Sequence, residues 1–339
     1  MDATLKSVGG LTAEQVRTVL TAATAAPSLH NSQPWRFRCT PSAFEVRADL
    51  SRAVPIADPD HRELVLACGA ALFNLRMAIR ALGVYPDAQL YPDPNRPSLL
   101  ATVRPQGTRR ATPAERRLVD AIHRRRTNRR QFTDALITEP VRNELRSAAE
   151  MERSWLAVLA PAQLPPMRQL VARAHDIQQR DAAFVAEWAW WTAREQDAED
   201  GVPLRSAGPL PEPQDTWVLR DFSAGRGRER VAGKDFEAAP LIAVVGSFHD
   251  LPLARLQAGQ AMQRVLLTAT LNGLSTSFLS QVVEVPQTRK QLRELIGGGL
   301  WPQTVLRIGY GSPVPRTPRR KIGDVVDLSG EATTTSPIG

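Results

Sequence analysis

The run Arg124-Arg125-Arg126-Thr127-Asn128-Arg129-Arg130-Gln131-Phe132 gathers guanidinium groups around one short amide. Guanidinium forks bond phosphate oxygens in pairs, and a small polar side chain between them can take a remaining oxygen. Alternate residues of extended chain face one way, so Arg126, Asn128 and Arg130 are expected to point together. The plainer reading is a solvated basic helix end favoured by the helix dipole. A second cluster, Arg316-Thr317-Pro318-Arg319-Arg320-Lys321, follows the last predicted strand and either closes on the same anion or is a soluble tail. Far from both, Pro27-Ser28-Leu29-His30-Asn31-Ser32-Gln33-Pro34-Trp35 packs backbone donors and short polar side chains into one tight connection able to wrap a ligand.

These segments must be positioned by a fold, and the fold repeats. A capping box opens the first helix, with Thr12 capping and Gln15 reaching back, and Val16, Val19, Leu20 and Ala23 share a face. A strand from Trp35 to Val46 is expected after the loop. The helix pattern returns at Val141 and Leu145, an offset of 125 (141 − 16), and the strand's Trp returns at Trp155, an offset of 120 (155 − 35). The five-residue difference falls where the Pro27–Asn31 turn would be. Gly69 through Gly83, a helix with a glycine end, matches Gly259 through Gly273 at a constant offset of 190 (259 − 69). Strand-like segments follow, ending at Ala101–Arg104 in one copy and Thr304–Tyr310 in the other. A linker is expected near Arg104–Ala111, before a helix capped at Thr112 with Pro113 at its first position.

Three units follow: 1–110, 111–321 and a tail over 322–339, with an excess segment, 161–234, that has no partner in the first half. That segment holds Phe184, Trp188, Trp190 and Trp191, then a Pro/Gly-rich run from Asp200 to Pro213 and Arg220-Asp221-Phe222, and reads as a lid-like insertion. Trp188 to Trp191 either stack over a ligand or pack a helix face. Met262 and Phe278 read as core. His30 reads as a hydrogen-bonding neighbour of the ligand rather than a proton carrier.

Among 339 residues, 42% are hydrophobic and 23% charged, an ordinary globular composition, and the net charge of +8 is almost all arginine. The basic charge raises nucleic-acid binding, but no zinc-finger spacing, RNP1-like motif or basic zipper accompanies it. No apolar run approaches the roughly 20 residues of a membrane span, and no signal peptide is apparent, so the cytoplasm is expected. Cys39 and Cys68 have no metal spacing and read as core residues.

The chain resembles the FMN-dependent nitroreductase superfamily, whose members carry a Pro-Ser-x-x-Asn-x-Gln-Pro-Trp loop, an Arg-x-Ser-x-Arg-x-Phe segment, a glycine-ended central helix and a Gly-Tyr strand followed by basic residues. Pro27, Ser28, Asn31, Gln33, Pro34 and Trp35 match without gaps. Arg126-x-Asn128-x-Arg130-x-Phe132 matches with Asn in place of Ser, and Gly309-Tyr310 precedes the second basic cluster. The tandem halves, Asp200-Gly201-Val202-Pro203 and Arg220-Asp221-Phe222 are similar to the Acg-like branch, in which one chain imitates the family's dimer. The resemblance implies an α+β nitroreductase fold, two half-repeats forming an intramolecular pseudodimer, and one FMN between them. It also implies a phosphate held by Arg126, Asn128, Arg319 and Arg320, with Arg316 in the same cluster. Arg130 would face the pyrimidine edge of the flavin, Ser28, Leu29, His30, Asn31, Ser32 and Gln33 would wrap it, and Ser280 and Gln281 would approach the ring. The implied activity is hydride transfer from NAD(P)H to a nitroaromatic, quinone or similar acceptor. The alternative is FMN sequestration beneath the lid. No metal or nucleic acid enters either reading, and pairing of pseudodimers stays open.

Overall fold

The computed structural model describes residues 5–192, 194–195, 197–212, 214–217, 220–227, 236–237 and 240–327. Pro213, residues 228–234 of the insertion and residues 328–339 of the expected tail lie outside the described residues.

Helix α1 (Ala13–Thr24) starts on the expected Thr12–Gln15 capping box. The single strand expected from Trp35 to Val46 is instead a hairpin, β1 (Trp35–Cys39) and β2 (Phe44–Ala48), paired from Trp35↔Ala48 to Cys39↔Phe44. Thr40 bonds the Ala43 backbone through its hydroxyl in both directions and so turns the chain. Next come α2 (Arg62–Ala81), β3 (Val84–Leu90) and β4 (Leu99–Thr108). Strand β4 takes up most of the expected linker. Beyond Val103 only β3 pairs with it, so Pro105 interrupts no ladder on the β2 side. Helix α3 (Pro113–Ile122) begins on a second capping box, Thr112 with Glu115, as its sequence predicts.

The chain continues through α4 (Glu139–Glu150), β5 (Trp155–Val158), α5 (Leu164–Gln179), α6 (Ala182–Trp191) and β6 (Leu241–Ser247). Then follow α7 (Pro252–Leu271), β7 (Ser275–Phe278), α8 (Gln281–Glu284), α9 (Pro286–Leu295) and β8 (Trp301–Gly309). The last described elements are α10 (Ile322–Val325) and β9 (Val326–Asp327).

One sheet runs β3-β4-β2-β1-β9 and the other β7-β8-β6-β5 in the sense matching the first. Their strand orders therefore coincide apart from β9, which pairs parallel to β1. The expected tail thus starts inside the first sheet, with Val326 beside Phe37. Helices α2 and α7, each of 20 residues, pack against each other between the sheets. The main core joins Trp35, Phe37, Phe73, Leu306 and Ile308 with both helices. Contrary to the absence of long apolar runs expected above, α2 is long and apolar enough to cross a membrane, but 83% of its apolar window is buried here as a central core helix.

Alternation sets the faces of the second sheet: Ala243, Val245 and Leu306 face the central helices. Ile242, Val244 and Val305 instead face Met167 and Val171 of α5 and Leu292 of α9. The insertion is therefore two things. Helix α5 is part of the body, and Ala207, Pro209, Arg220 and Phe222 of the chain after α6 border the cleft described below. Cys68 is core, whereas Cys39 on β1 is only partly buried.

Candidate functional site

A cleft enclosing about 970 Å³, counting its open mouth, lies where the first-half loop meets the end of β7 and the start of α8. Ser28, Leu29 and His30 form one wall; Glu63, Leu66 and Ala67, at helical spacing on α2, form another. Ser280 and Gln281 stand opposite, with Thr127, Arg129 and Arg307. Met262 and Phe278, expected in the core, line this cleft as well.

The loop holds three non-glycine residues in the left-handed region: His30 (φ 49°), Asn31 (φ 58°) and Gln33 (φ 54°). Such conformations cost on the order of 1 kcal/mol each and persist only where surroundings impose them. Here Ser28 Oγ accepts the Gln33 backbone N–H at 2.9 Å. The Asn31 amide donates to the carbonyls of Gly201 (3.0 Å) and Pro318 (3.2 Å), and Gln33 Nε2 donates to the Glu199 carbonyl at 2.8 Å. Asn31, Ser32 and Gln33 are thus struts under the cleft rather than its lining: Gln33 is fully buried, its Oε1 accepting the Arg320 N–H, and the Ser32 carbonyl accepts from Arg52.

The arginine run differs from expectation by one residue. Asn128 N–H bonds the Thr276 carbonyl, pinning the chain beside β7, and the Asn128 side chain turns inward to Ser275 Oγ (3.1 Å) and the Ser312 carbonyl (2.9 Å). Thr127 and Arg129 consequently face the cleft, while Asn128 and Arg130 do not. The backbone carbonyl of Arg130 accepts from Arg307. Arg126 lies partly exposed with its guanidinium on the carbonyls of His123 and Arg125. Read one place earlier, Arg125-x-Thr127-x-Arg129 keeps the hydroxyl that Asn128 lacks, a signal present in the sequence itself.

Beside Thr127 the cleft adjoins a smaller notch lined by Arg125, Arg126, Arg316 and Arg319. Arg319 is expected near an anion, yet its guanidinium also bonds the carbonyls of Thr24, Ala25 and Ala26 at the end of α1. Arg320 turns away, toward Asp49 (3.8 Å) and the Asp324 carbonyl. Burial pulls Arg125 and Arg129 down to about 10 and Arg319 to about 9, and neighbouring arginines push each further the same way. Among the described residues no carboxylate pairs with these three. A cationic cluster, Arg125 buried and Arg129 and Arg319 partly so, without a carboxylate partner among the described residues fits a phosphate.

The segment after α6 is tied to the body at two places. Asp200 accepts from Arg52 (2.6 Å) and Arg194 (2.9 Å). Arg220 donates to Glu284 at 2.5 and 3.1 Å, and to Gln178 and Ser280. Burial raises the Glu284 carboxyl, but Arg220 overrides it and holds the group at about 2. Phe222 lies under Arg129, 4.1 Å from guanidinium carbon to ring centroid. Trp188 packs on Phe222 (4.6 Å) and meets His30 edge-on (4.9 Å), so it backs the wall rather than lining the cleft; Trp191 is buried beside Arg52, and Trp190 is exposed. Among the described residues His30 Nε2 has no hydrogen-bond partner, and burial lowers the imidazole to about 3. No His/Cys/Asp/Glu group suited to a metal occurs among the described residues.

No protein-family model matches the sequence. A Mycobacterium tuberculosis H37Rv protein provisionally named NAD(P)H nitroreductase Rv3131 is 37% identical over 329 residues, covering 94% of this chain and 93% of its own. The same organism's Acg, provisionally named an NAD(P)H nitroreductase, is 29% identical over 319 residues, 93% of this chain and 96% of its own. Among solved structures, a nitroreductase-titled chain from Anabaena variabilis covers 88% of each chain at 10% identity and a TM-score of 0.48. The chain belongs to the nitroreductase superfamily. Within it, the chain falls in the Acg-like branch.

Proposed function

We propose that the protein is an FMN-dependent NAD(P)H oxidoreductase whose two half-repeats, 1–110 and 111–321, form a pseudodimer around one FMN. The observation that carries this reading is the cluster of Arg125, Arg129 and Arg319, without a carboxylate partner among the described residues, opening beside the cleft between the two halves. Arg125, Thr127, Arg129, Arg316 and Arg319 hold the phosphate, with Arg126 at the rim. Ser28, Leu29 and His30 wrap the cofactor from the first half, and Ser280 and Gln281 approach it from the second. Asn128, Arg130, Asn31, Ser32, Gln33 and Arg320 keep these groups in place. Bound FMN supplies the hydride chemistry; the chain supplies position, charge and exclusion of water. Matching strand orders and the α2–α7 crossing support the half-repeat reading.

The relatives' names support NAD(P)H as donor and a nitro compound as acceptor, and a quinone is the other two-electron acceptor we propose. The double fastening of the segment after α6 favours a second reading, in which FMN is held and shielded without turnover. Anaerobic mixing of FMN-loaded protein with NADPH or NADH separates them. Bleaching of the flavin band within seconds supports the reductase, an unchanged spectrum supports sequestration, and protein that cannot be loaded with FMN removes both.

A further inference from the structure

We propose that Glu63 donates a proton to the electron acceptor reduced in this cleft, a quinone or comparable carbonyl oxidant. The proposal rests on the oxidoreductase reading above. Glu63 lies in the first turn of α2, facing the cleft together with Leu66 and Ala67. Its side chain is 10% exposed. Oε1 accepts from Arg62 Nη2 at 2.7 Å, and among the described residues Oε2 has no hydrogen-bond partner. One oxygen is therefore held and the other is free to serve whatever occupies the cleft.

Arg62 neutralises Glu63 incompletely, because the same guanidinium also donates to the carbonyls of Val283 and Gln303. Two further carboxylates oppose ionisation: Asp58, which accepts the N–H groups of Glu63 and Leu64, and Glu284 on α8. Across the cleft stand Arg129, Arg220 and Arg307 with the neutral His30. Burial, with Asp58 and Glu284, outweighs Arg62 and lifts the carboxyl to about 7. A group poised near neutrality is suited to acid catalysis. Glu63 also lines a second small cavity with Asp58 and Arg52, which places it between two spaces.

The step balances. NAD(P)H is oxidised to NAD(P)⁺, and the quinone gains a hydride and becomes a hydroquinone monoanion. The Glu63 O–H bond breaks as a new O–H bond forms on that oxyanion. The Glu63 carboxylate then recovers a proton from water.

Infrared difference spectra of the cofactor-free protein read the carboxyl directly. An acid C=O band titrating near pH 7 is expected in wild type and absent from Glu63→Gln. In FMN-loaded protein reduced with dithionite, reoxidation by p-benzoquinone is expected to slow as pH rises through about 7. Glu63→Gln should be about 100-fold slower and lose that dependence. A wild-type rate flat across this range, no such band, or Glu63→Gln reoxidising as fast as wild type overturns the proposal. The wild-type measurements decide even if the variant does not fold. Dithionite bypasses the nucleotide, so a protein unreactive to NADPH but proton-dependent with p-benzoquinone loses only the reductase reading.

Discussion

Gly69 of α2 and Gly259 of α7 meet where the two central helices cross. A Cβ added at Gly69 would lie 2.9 Å from the Gly259 Cα and closer still to the Leu256 carbonyl. One added at Gly259 would strike the Leu66 backbone. The obstacle on both sides is main chain, which cannot swing aside as a side chain can. The two positions are also equivalents in the sequence repeat, so the same residue serves the same contact from each half.

Either Gly69→Ala or Gly259→Ala should therefore destabilise the protein by about 1–3 kcal/mol, despite the gain in helix propensity. Urea denaturation checks this. The double variant should depart from additivity, because the two sites touch.

FMN retention should discriminate between adjacent arginines. Arg125→Ala removes a buried charge-assisted donor, and about 1.5–3 kcal/mol corresponds to roughly a 10- to 100-fold loss in affinity. Arg126→Ala, at the rim, should cost much less. Flavin fluorescence titration of both variants would expose the reverse order.

His30 should stay neutral across the physiological range, its C2 proton showing no titration by NMR between pH 5 and 8, because burial and the nearby Arg220 and Arg129 hold it at about 3. The unfolded chain binds this proton near pH 6.5 and the folded chain does not. Stability contributed by the neutral ring is therefore complete above that pH and is lost as pH falls toward 3.

The Arg220–Glu284 pair has the carboxylate sign. With Glu284 held near 2, its contribution is present above its ordinary 4.5 and lost as pH falls through that window. Glu284→Gln leaves Arg220 buried without its anion, and a loss of about 3–5 kcal/mol is expected in denaturant titration. Trp188 fluorescence should change with it, since Arg220 lies over that ring.

Asp200→Asn releases Arg52 and Arg194 while leaving the cleft lining untouched. Bound FMN should exchange faster with free flavin, measured by displacement with a labelled analogue. Unchanged exchange would show that the Arg220 edge alone governs access.

The repeat was readable because helix burial leaves a periodic record, and a constant offset from Gly69 to Gly83 needs only equal helix lengths. The loop was readable because few sequences combine so many short polar residues between two apolar segments. The arginine register was not, since alternation has no origin until Asn128 N–H finds the Thr276 carbonyl, a partner 148 positions away (276 − 128). Glu63 was missed for a related reason: an acid in a first helical turn reads as a favourable dipole partner, and its burial depends on α8 and β8 arriving from the other half. In the sequence Arg220 stands out only as part of the Arg220-Asp221-Phe222 motif, whereas its function as a fastening needs Glu284 beside it.

Both walls of the cleft belong to one covalent chain, Ser28 to Ala67 on one side and Met262 to Gln281 on the other. Closing such a cleft is a unimolecular event, so mass action between subunits has no hold on it. Cofactor affinity should be the same at nanomolar and micromolar protein, and a substitution on one wall is never copied onto the other.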